Sequence, residues 1–150
     1  MAAASTTPTI GVLINRKSGR NRAGLADLRN LIVQSPEVVA RETSGHAEAA
    51  EALREFDTRG VEIVAVAGGD GTLQSVFGLL FNDRIFRTPP PLGVLPGGTT
   101  NMIGYDIGAA RKPAKELAAL LARARAGKLE EARVQRRLIA VHRPDTPLPS

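Results

Sequence analysis

The chain has 150 residues, of which 43% are hydrophobic and 23% charged, a composition typical of an ordinary globular domain with a core of its own. It contains no cysteine, so disulfide frameworks, thiolate nucleophiles and zinc–thiolate sites are excluded. It has one tyrosine, four phenylalanines and no tryptophan, so a stacking platform for single-stranded nucleic acid is not expected.

The net charge of +5 is concentrated in one segment. Residues 1–110 carry ten Lys/Arg and eleven Asp/Glu, whereas residues 111–143 carry ten Lys/Arg and three Glu, a local balance of 10 − 3 = +7. Such one-sided charge attracts polyanions, among them nucleic acid, an anionic membrane surface or a nucleotide. We expect weak, salt-sensitive contact with anionic lipid, and a solvated helix face explains the charge equally well.

Short apolar runs alternate with amphipathic stretches along the chain. We expect a disordered tail over 1–8. The pattern then predicts strands at 9–15, 37–43, 63–67, 92–95 and 133–141, and helices at 22–34, 47–58, 72–80 and 114–126, with a helical turn over 101–107. Three consecutive prolines place 82–91 in a loop. This alternation favours right-handed βαβ units and predicts an α/β fold, a three-layer open parallel sheet with helices on both faces.

The most informative segment is Gly-Gly-Asp-Gly-Thr at 68–72, directly after the apolar strand 63–67. A strand, a glycine turn and a helix start together aim backbone N–H groups and the positive end of a helix dipole at one point, which suits a phosphate. We expect glycines here because a β-carbon would hold a phosphate oxygen away from the amides, and because the turn requires positive φ. The alternative is an ordinary strand-to-helix turn capped by Asp70 or Thr72.

Four motifs in chain order resemble one family. The 68–72 segment resembles the GGDGT signature of diacylglycerol kinases, sphingosine kinases, bacterial lipid kinases and NAD kinases. Residues 92–101 (Leu-Gly-Val-Leu-Pro-Gly-Gly-Thr-Thr-Asn) resemble the diacylglycerol-kinase strand that runs into P-x-G-T-x-N. Residues 15–19 (Asn-Arg-Lys-Ser-Gly) resemble the N-P-x-S-G loop, and residues 43–47 (Thr-Ser-Gly-His-Ala) resemble the T…G-H-A segment. The resemblance covers about residues 9–127 and favours the nucleotide-binding part of a diacylglycerol kinase catalytic domain.

Three positions depart from the family pattern. Arg16 replaces the usual proline, Gln74 stands where the family often has Asn, and Met102 stands where many members carry Asp. These departures affect the acceptor substrate and the metal arrangement more than nucleotide binding.

The resemblance implies a nucleotide site built from the loops that follow the strands. Its expected members, the polar side chains and backbone amides of the four motifs, are Asn15, Arg16, Lys17, Ser18, Gly19, Thr43, Gly68, Gly69, Asp70, Gly71, Thr72, Gln74, Gly98, Thr99 and Asn101. A bare carboxylate would repel a triphosphate, so we expect Asp70, the candidate catalytic residue, to hold Mg²⁺, to accept from a hydroxyl or to cap a helix. His46 is interpreted as a surface or capping residue, because a lone histidine makes a poor metal site.

The activity that the resemblance implies is an ATP- and Mg²⁺-dependent lipid kinase that transfers a phosphoryl group to a lipid hydroxyl. Two alternatives stay open: an NAD kinase-like enzyme, and a non-catalytic module that binds nucleotide or nucleic acid. In the resembled family a second, β-rich domain supplies the acceptor pocket and the catalytic base. Residues 9–132 correspond to the nucleotide-binding domain, and 133–150 would begin the second domain or link to it. Residues 1–150 alone are therefore expected to bind nucleotide without phosphorylating a lipid.

The expected location is the cytoplasm, with peripheral contact at the membrane surface. The N-terminus lacks the basic and apolar regions of a secretion signal, and no apolar run approaches the about 20 residues of a membrane span. The lipid substrate would be reached at the membrane surface through the second domain. A homodimer is left open.

Overall fold

Four apolar runs form a parallel sheet in the computed structural model, which describes residues 7–17, 22–98, 100–109 and 112–139. The strands are β1 (Ile10–Asn15), β2 (Val38–Thr43), β3 (Ile63–Gly68) and β4 (Leu92–Pro96), and their spatial order is β2-β1-β3-β4. All three neighbouring pairs are parallel. Strand β3, one of the two inner strands, is buried along its whole length, as expected where helices cover both faces of a parallel sheet.

The helices cover the two faces of this sheet and complete the predicted three-layer architecture. They are α1 (Arg22–Val33), α2 (His46–Thr58), α3 (Asp70–Phe77), α4 (Met102–Asp106), α5 (Pro113–Arg125) and α6 (Leu129–Ala132), and a π-helical turn over Gly78–Asn82 prolongs α3. Buried residues of α2 and α3 pack on one face of the sheet, and those of α1 and α5 pack on the other.

Phe56 of α2 sets the distance between that helix and strand β1. A Cβ added to Gly11 would lie 2.7 Å from a carbon of the Phe56 ring, so β1 offers the ring a place where no side chain stands. Phe56 itself is fully buried. This contact joins the last turn of α2 to the start of β1, and at the other end of both elements His46 and Asn15 line the same cleft.

The strand order creates a crevice between β1 and β3. The chain leaves β1 through α1 on one face, and it leaves β3 through α3 on the other face. The two connections therefore diverge at the carboxyl edge, which is where ligands bind in open α/β sheets.

One helix start and one strand predicted from the sequence are wrong. Helix α3 begins at Asp70 rather than Thr72, because Gly69 is extended (φ −92°) and serves as the N-cap, its carbonyl accepting the Leu73 N–H at 3.1 Å. The predicted strand 133–141 is not formed over its described part, 133–139, which is exposed throughout. A strand needs a neighbour for its backbone groups, and the pattern alone supplies none. Residues 140 and 141 lie outside the described residues.

Ion pairs between arginine and glutamate hold the edge strand β2. Arg29 Nε donates to Glu42 Oε1 at 2.5 Å, and Arg125 Nε donates to Glu37 Oε1 at 2.5 Å. The hydrogen bond from Arg125 lowers the pKa of Glu37 below its ordinary value of 4.5. The bond from Arg29 lowers the pKa of Glu42 in the same way.

These lowered pKa values predict a loss of stability in acid. A carboxylate whose pKa is lower in the folded than in the unfolded state stabilises the fold fully above the ordinary value of 4.5, and this contribution disappears as the pH falls through the folded-state pKa. We expect the free energy of unfolding, measured by urea denaturation from about pH 7 to about pH 3, to fall below about pH 5. Glu37→Gln should make that fall shallower. An identical pH dependence in wild type and variant would show that the Arg125–Glu37 pair does not contribute to the stability.

Candidate functional site

A cleft of about 160 Å³ opens at the carboxyl edge of the sheet, next to the crevice between β1 and β3. Residues from the ends of β1 and β2 and from helices α2 and α3 form its wall. The lining residues are Asn15, Thr43, Gly45, His46, Ala49, Gly71, Thr72, Ser75 and Val76. Four of these (Asn15, Thr43, Gly71 and Thr72) belong to the predicted nucleotide site, and the structure brings them together; that they bind a nucleotide stays a prediction.

Asn15 connects the loop after β1 with helix α3. Its side-chain Nδ2 donates to Thr72 Oγ1 at 2.8 Å, while its Oδ1 accepts the Lys17 N–H at 3.0 Å. Thr43, at the end of β2, is buried, and its hydroxyl donates to the Ile14 carbonyl at 3.5 Å. The polar side chains at the ends of the adjacent strands β1 and β2 are therefore held in place by bonds within the domain.

The glycines at 68 and 69 are required by packing. A Cβ on Gly68 would lie 2.7 Å from the Thr72 side chain, and one on Gly69 would lie 3.1 Å from the Cα of Gly98. The expectation that this turn needs positive φ is wrong, because the described glycines with positive φ lie elsewhere, at Gly60, Gly108 and Gly127. Close approach to the Thr72 side chain explains the glycine at 68, and close approach to the Gly98 backbone explains the glycine at 69.

Gly71 differs from its two neighbours. A Cβ built on it would meet nothing within 4 Å, and the residue is exposed in the first turn of α3. The open side of the 68–72 loop is therefore at Gly71.

The loop after β4 packs directly on the 68–72 loop. The Gly97 N–H donates to the Gly68 carbonyl at 3.0 Å. A Cβ on Gly98 would overlap the Cα of Gly69, well inside the 3.0 Å that Cβ atoms keep from their neighbours. The two glycine motifs, about thirty residues apart in the sequence, thus form one unit.

Asn101 closes this second loop on itself. Its backbone is left-handed (φ +52°), a conformation that Asn tolerates better than most residues. The Gly98 N–H donates to its Oδ1 at 2.8 Å, and its Nδ2 donates to the Gly98 carbonyl at 2.8 Å. The Asn101 amide group therefore fixes its own loop, and its predicted contact with a nucleotide stays a prediction.

Asp70 caps a helix other than its own. Its Oδ2 accepts the Met102 N–H at 3.0 Å, and its Oδ1 accepts the Ile103 N–H at 3.1 Å. The capping interpretation therefore applies to α4, whereas α3 is capped by Gly69. A carboxylate has about four lone-pair positions, so these two bonds leave the predicted link to Mg²⁺ open as a prediction.

Gly45, His46 and Ser75 line the cleft, and sequence reasoning missed them as site residues. His46 Nδ1 lies 2.7 Å from Ser75 Oγ, which joins the first residue of α2 to α3. Ser75 follows Thr72 by three positions, so both side chains lie on the same helix face. Once Thr72 was selected, this spacing was the signal that pointed to Ser75.

The remaining predicted residues lie around the cleft or outside the described part. Arg16 pairs with Glu48 at 3.6 Å, and both side chains are about half exposed. Lys17 is exposed, and Gln74 is exposed on α3 without lining the cleft. Three predicted members lie outside the described residues: Ser18, Gly19 and Thr99.

The described residues contain no group of three or more His, Cys, Asp or Glu side chains arranged to hold a metal ion. Within the same part of the chain, none of the helices has both the length and the apolar character needed to cross a bilayer.

The doubly wound sheet, with its cleft at the switch point, defines an α/β domain of the kind that binds ligands at the carboxyl ends of its strands. The chain belongs to the diacylglycerol kinase catalytic domain family, whose model matches residues 9–135. The predicted family resemblance is therefore confirmed.

Two curated relatives agree with this assignment. A probable lipid kinase YegS-like from Stenotrophomonas maltophilia (strain K279a) is 32% identical over 124 residues, which cover 79% of this chain and 38% of that protein. A diacylglycerol kinase from Bacillus subtilis (strain 168) is 35% identical over 109 residues, which cover 67% of this chain and 33% of that protein. The chain spans less than two fifths of the length of either relative.

A solved structure supports the fold. The crystal structure of a diacylglycerol kinase from Bacillus anthracis str. Sterne matches 77% of this chain and 42% of that one, with a TM-score of 0.64 and 22% sequence identity. The predicted α/β architecture is confirmed.

Proposed function

We propose that this chain is the nucleotide-binding part of an ATP-dependent lipid kinase of the diacylglycerol kinase type. One observation carries the proposal: the two glycine loops of the family pack into a single unit at the carboxyl edge of the sheet, next to a cleft lined in part by Asn15, Thr43 and Thr72. Membership in the family supplies the reaction class, transfer of a phosphoryl group from a nucleotide to a hydroxyl.

The phosphates of ATP would approach the 68–72 loop at Gly71. The first N–H groups of an α-helix have no acceptor within the helix, and together with the helix dipole they favour an anion. Gly71 lies in this first turn, and a Cβ there would project into open space, so no side chain shields the amides on that side. In this proposal the loop is fixed by the close packing of Gly68, Gly69 and Gly98. Thr72 is held by its hydrogen bond from Asn15.

Mg²⁺ fits this site as an ion that arrives with ATP. Mg²⁺ in proteins is commonly held by one or two carboxylates together with substrate phosphates, and Asp70 is the acidic residue of the first turn of α3. When bound, it would neutralise phosphate charge. Asp70 is its proposed protein partner, through the lone pairs that its two backbone hydrogen bonds leave.

The acceptor is proposed to be a lipid hydroxyl at a membrane surface, as the names of the two relatives suggest. The expectations that residues 1–150 alone bind nucleotide without turnover, that they lie in the cytoplasm, and that segment 111–143 contacts anionic lipid all stay predictions. A homodimer likewise stays open.

Calorimetry with ATP and with NAD tests the proposal. Residues 1–150 are titrated with ATP in the presence of MgCl₂, and separately with NAD and with inorganic tripolyphosphate. We expect ATP to bind and tripolyphosphate to compete with it, because the recognised group is the phosphate chain. Binding of NAD as well as ATP would favour the NAD kinase alternative, and binding of neither nucleotide would overturn the proposal.

A further inference from the structure

Helix α4 is held in place by a residue of the 68–72 loop. The carboxylate of Asp70 reaches across 32 and 33 positions of the chain to accept the N–H groups of Met102 and Ile103, at 3.0 and 3.1 Å. The helix has five residues, too few to be stable on its own in water. Its position therefore depends on contacts of this kind.

The residues between the 68–72 loop and helix α4 are closely packed. Gly98 packs backbone to backbone on Gly69, and Asn101 holds the carbonyl and the N–H of Gly98. At the other side of α4, a Cβ on Gly104 would lie 3.0 Å from the ring of Pro96, so this helix also packs closely on the end of β4. A displacement of the backbone at residue 70 must therefore either move α4 or break one of these contacts.

The outer face of α4 presents two large apolar side chains. Met102 is 68% exposed and Tyr105 is 50% exposed, and their spacing of three residues puts them on one side of the helix. Tyr105 is the only tyrosine in the chain, which has no tryptophan. A spectroscopic signal from Tyr105 therefore reports on helix α4 alone.

We propose that Asp70 is a positioning residue that couples occupancy of the 68–72 loop by a polyphosphate to the placement of helix α4. The two amide donors and the positive end of the α4 dipole offset the carboxylate charge. An anion bound at the loop fixes the first turn of α3, and with it the Asp70 side chain and the N-terminus of α4. The inference rests on the proposed function only in taking a polyphosphate as the ligand of this loop.

Coupling of this kind works in both directions. If a bound polyphosphate changes the placement of α4, then a change that fixes α4 must alter the affinity of the loop for polyphosphate by the same factor.

The first arm of the test needs no ligand. Backbone amide exchange is measured by NMR in residues 1–150 for wild type, Asp70→Ala and Asp70→Asn. We expect exchange at Met102 and Ile103 to be about tenfold or more faster in Asp70→Ala, because both charge-assisted hydrogen bonds are lost. Asp70→Asn, which retains one acceptor oxygen, should restore part of the protection. Unchanged exchange in both variants would show that Asp70 does not hold α4.

The second arm measures the coupling itself. Tyr105 is labelled as 3-fluorotyrosine, and its single ¹⁹F resonance is followed while inorganic tripolyphosphate is added without Mg²⁺, so that a metal link cannot contribute. Calorimetry gives the binding curve under the same conditions. We expect the resonance to shift in step with binding in wild type, and to respond at most weakly in Asp70→Ala at equal saturation. Asp106→Asn is the matched control, since Asp106 belongs to α4 but bonds to Arg136 rather than to the loop.

The outcomes separate the two proposals. Binding of tripolyphosphate without a response at Tyr105, or an equal response in wild type and Asp70→Ala, would overturn the coupling and leave the proposed function intact. Absence of tripolyphosphate binding would overturn the coupling, because the loop would then take no polyphosphate without a metal ion. The proposed function is decided separately, by the titration of ATP in the presence of MgCl₂. If Asp70→Ala fails to fold by circular dichroism, the same comparisons are made with Asp70→Asn.

Discussion

Replacement of Gly98 by alanine is expected to lower the free energy of unfolding by about 1–3 kcal/mol, the usual range for overpacking a close contact. The added methyl group would overlap the Cα of Gly69. Because both partners are backbone, no side chain can rotate aside, and the two glycine loops must separate. For a chain of this size the midpoint of thermal unfolding should fall by roughly 3–10 °C.

Nucleotide binding should weaken in the same variant, because separation of the loops disturbs the Gly97–Gly68 hydrogen bond and the first turn of α3. Gly78→Ala is the matched control. Gly78 is helical, with φ −57°, and a Cβ there would meet nothing within 4 Å. It should leave binding unchanged and raise stability slightly, since alanine is the better helix former. Wild-type stability and affinity in Gly98→Ala would show that the two loops are not packed as described.

The sequence was sufficient to predict the sheet but not how its loops are joined. Runs such as 63–67 are apolar on both faces, and alternation with helices leaves few ways to arrange them. A glycine is harder to interpret, because three different requirements select it: a positive φ, a close approach of another backbone, or space left free for a ligand. Gly69 and Gly71 are two positions apart and equivalent by pattern, yet one packs on another loop and the other faces open space.

The role of Asp70 lay outside the reach of local patterns. Its partners are more than thirty positions away, on a helix that exists only because other parts of the domain hold it. The predicted strand 133–141 failed for the opposite reason: the local pattern was present, but in the described part, 133–139, the chain finds no sheet partner, and Arg136 bonds to Asp106 instead. Long-range partners decided both cases, and a single sequence does not display them.

Gly71→Ala is expected to separate binding from stability. The residue is exposed and lies in the first turn of α3, and it is not among the described glycines with positive φ. Alanine should therefore stabilise the helix by about 0.5–1 kcal/mol relative to glycine. Its methyl group, however, would stand on the side from which the phosphates are proposed to approach.

The loss of one hydrogen bond to a charged group corresponds to about 1.5–3 kcal/mol, so the Kd for ATP with Mg²⁺ should rise about tenfold to a hundredfold in Gly71→Ala, and further in Gly71→Val. Calorimetry measures the affinity, and thermal unfolding of the same samples measures the stability. The sign of the two effects distinguishes this position from Gly98, where affinity and stability should fall together. Gly78→Ala, the same substitution just beyond the C-terminal end of α3, should raise the stability while leaving the Kd for ATP unchanged. If Gly71→Ala is more stable than wild type but binds ATP equally well, the phosphates do not approach at Gly71, because an added methyl group at their point of contact cannot be without effect.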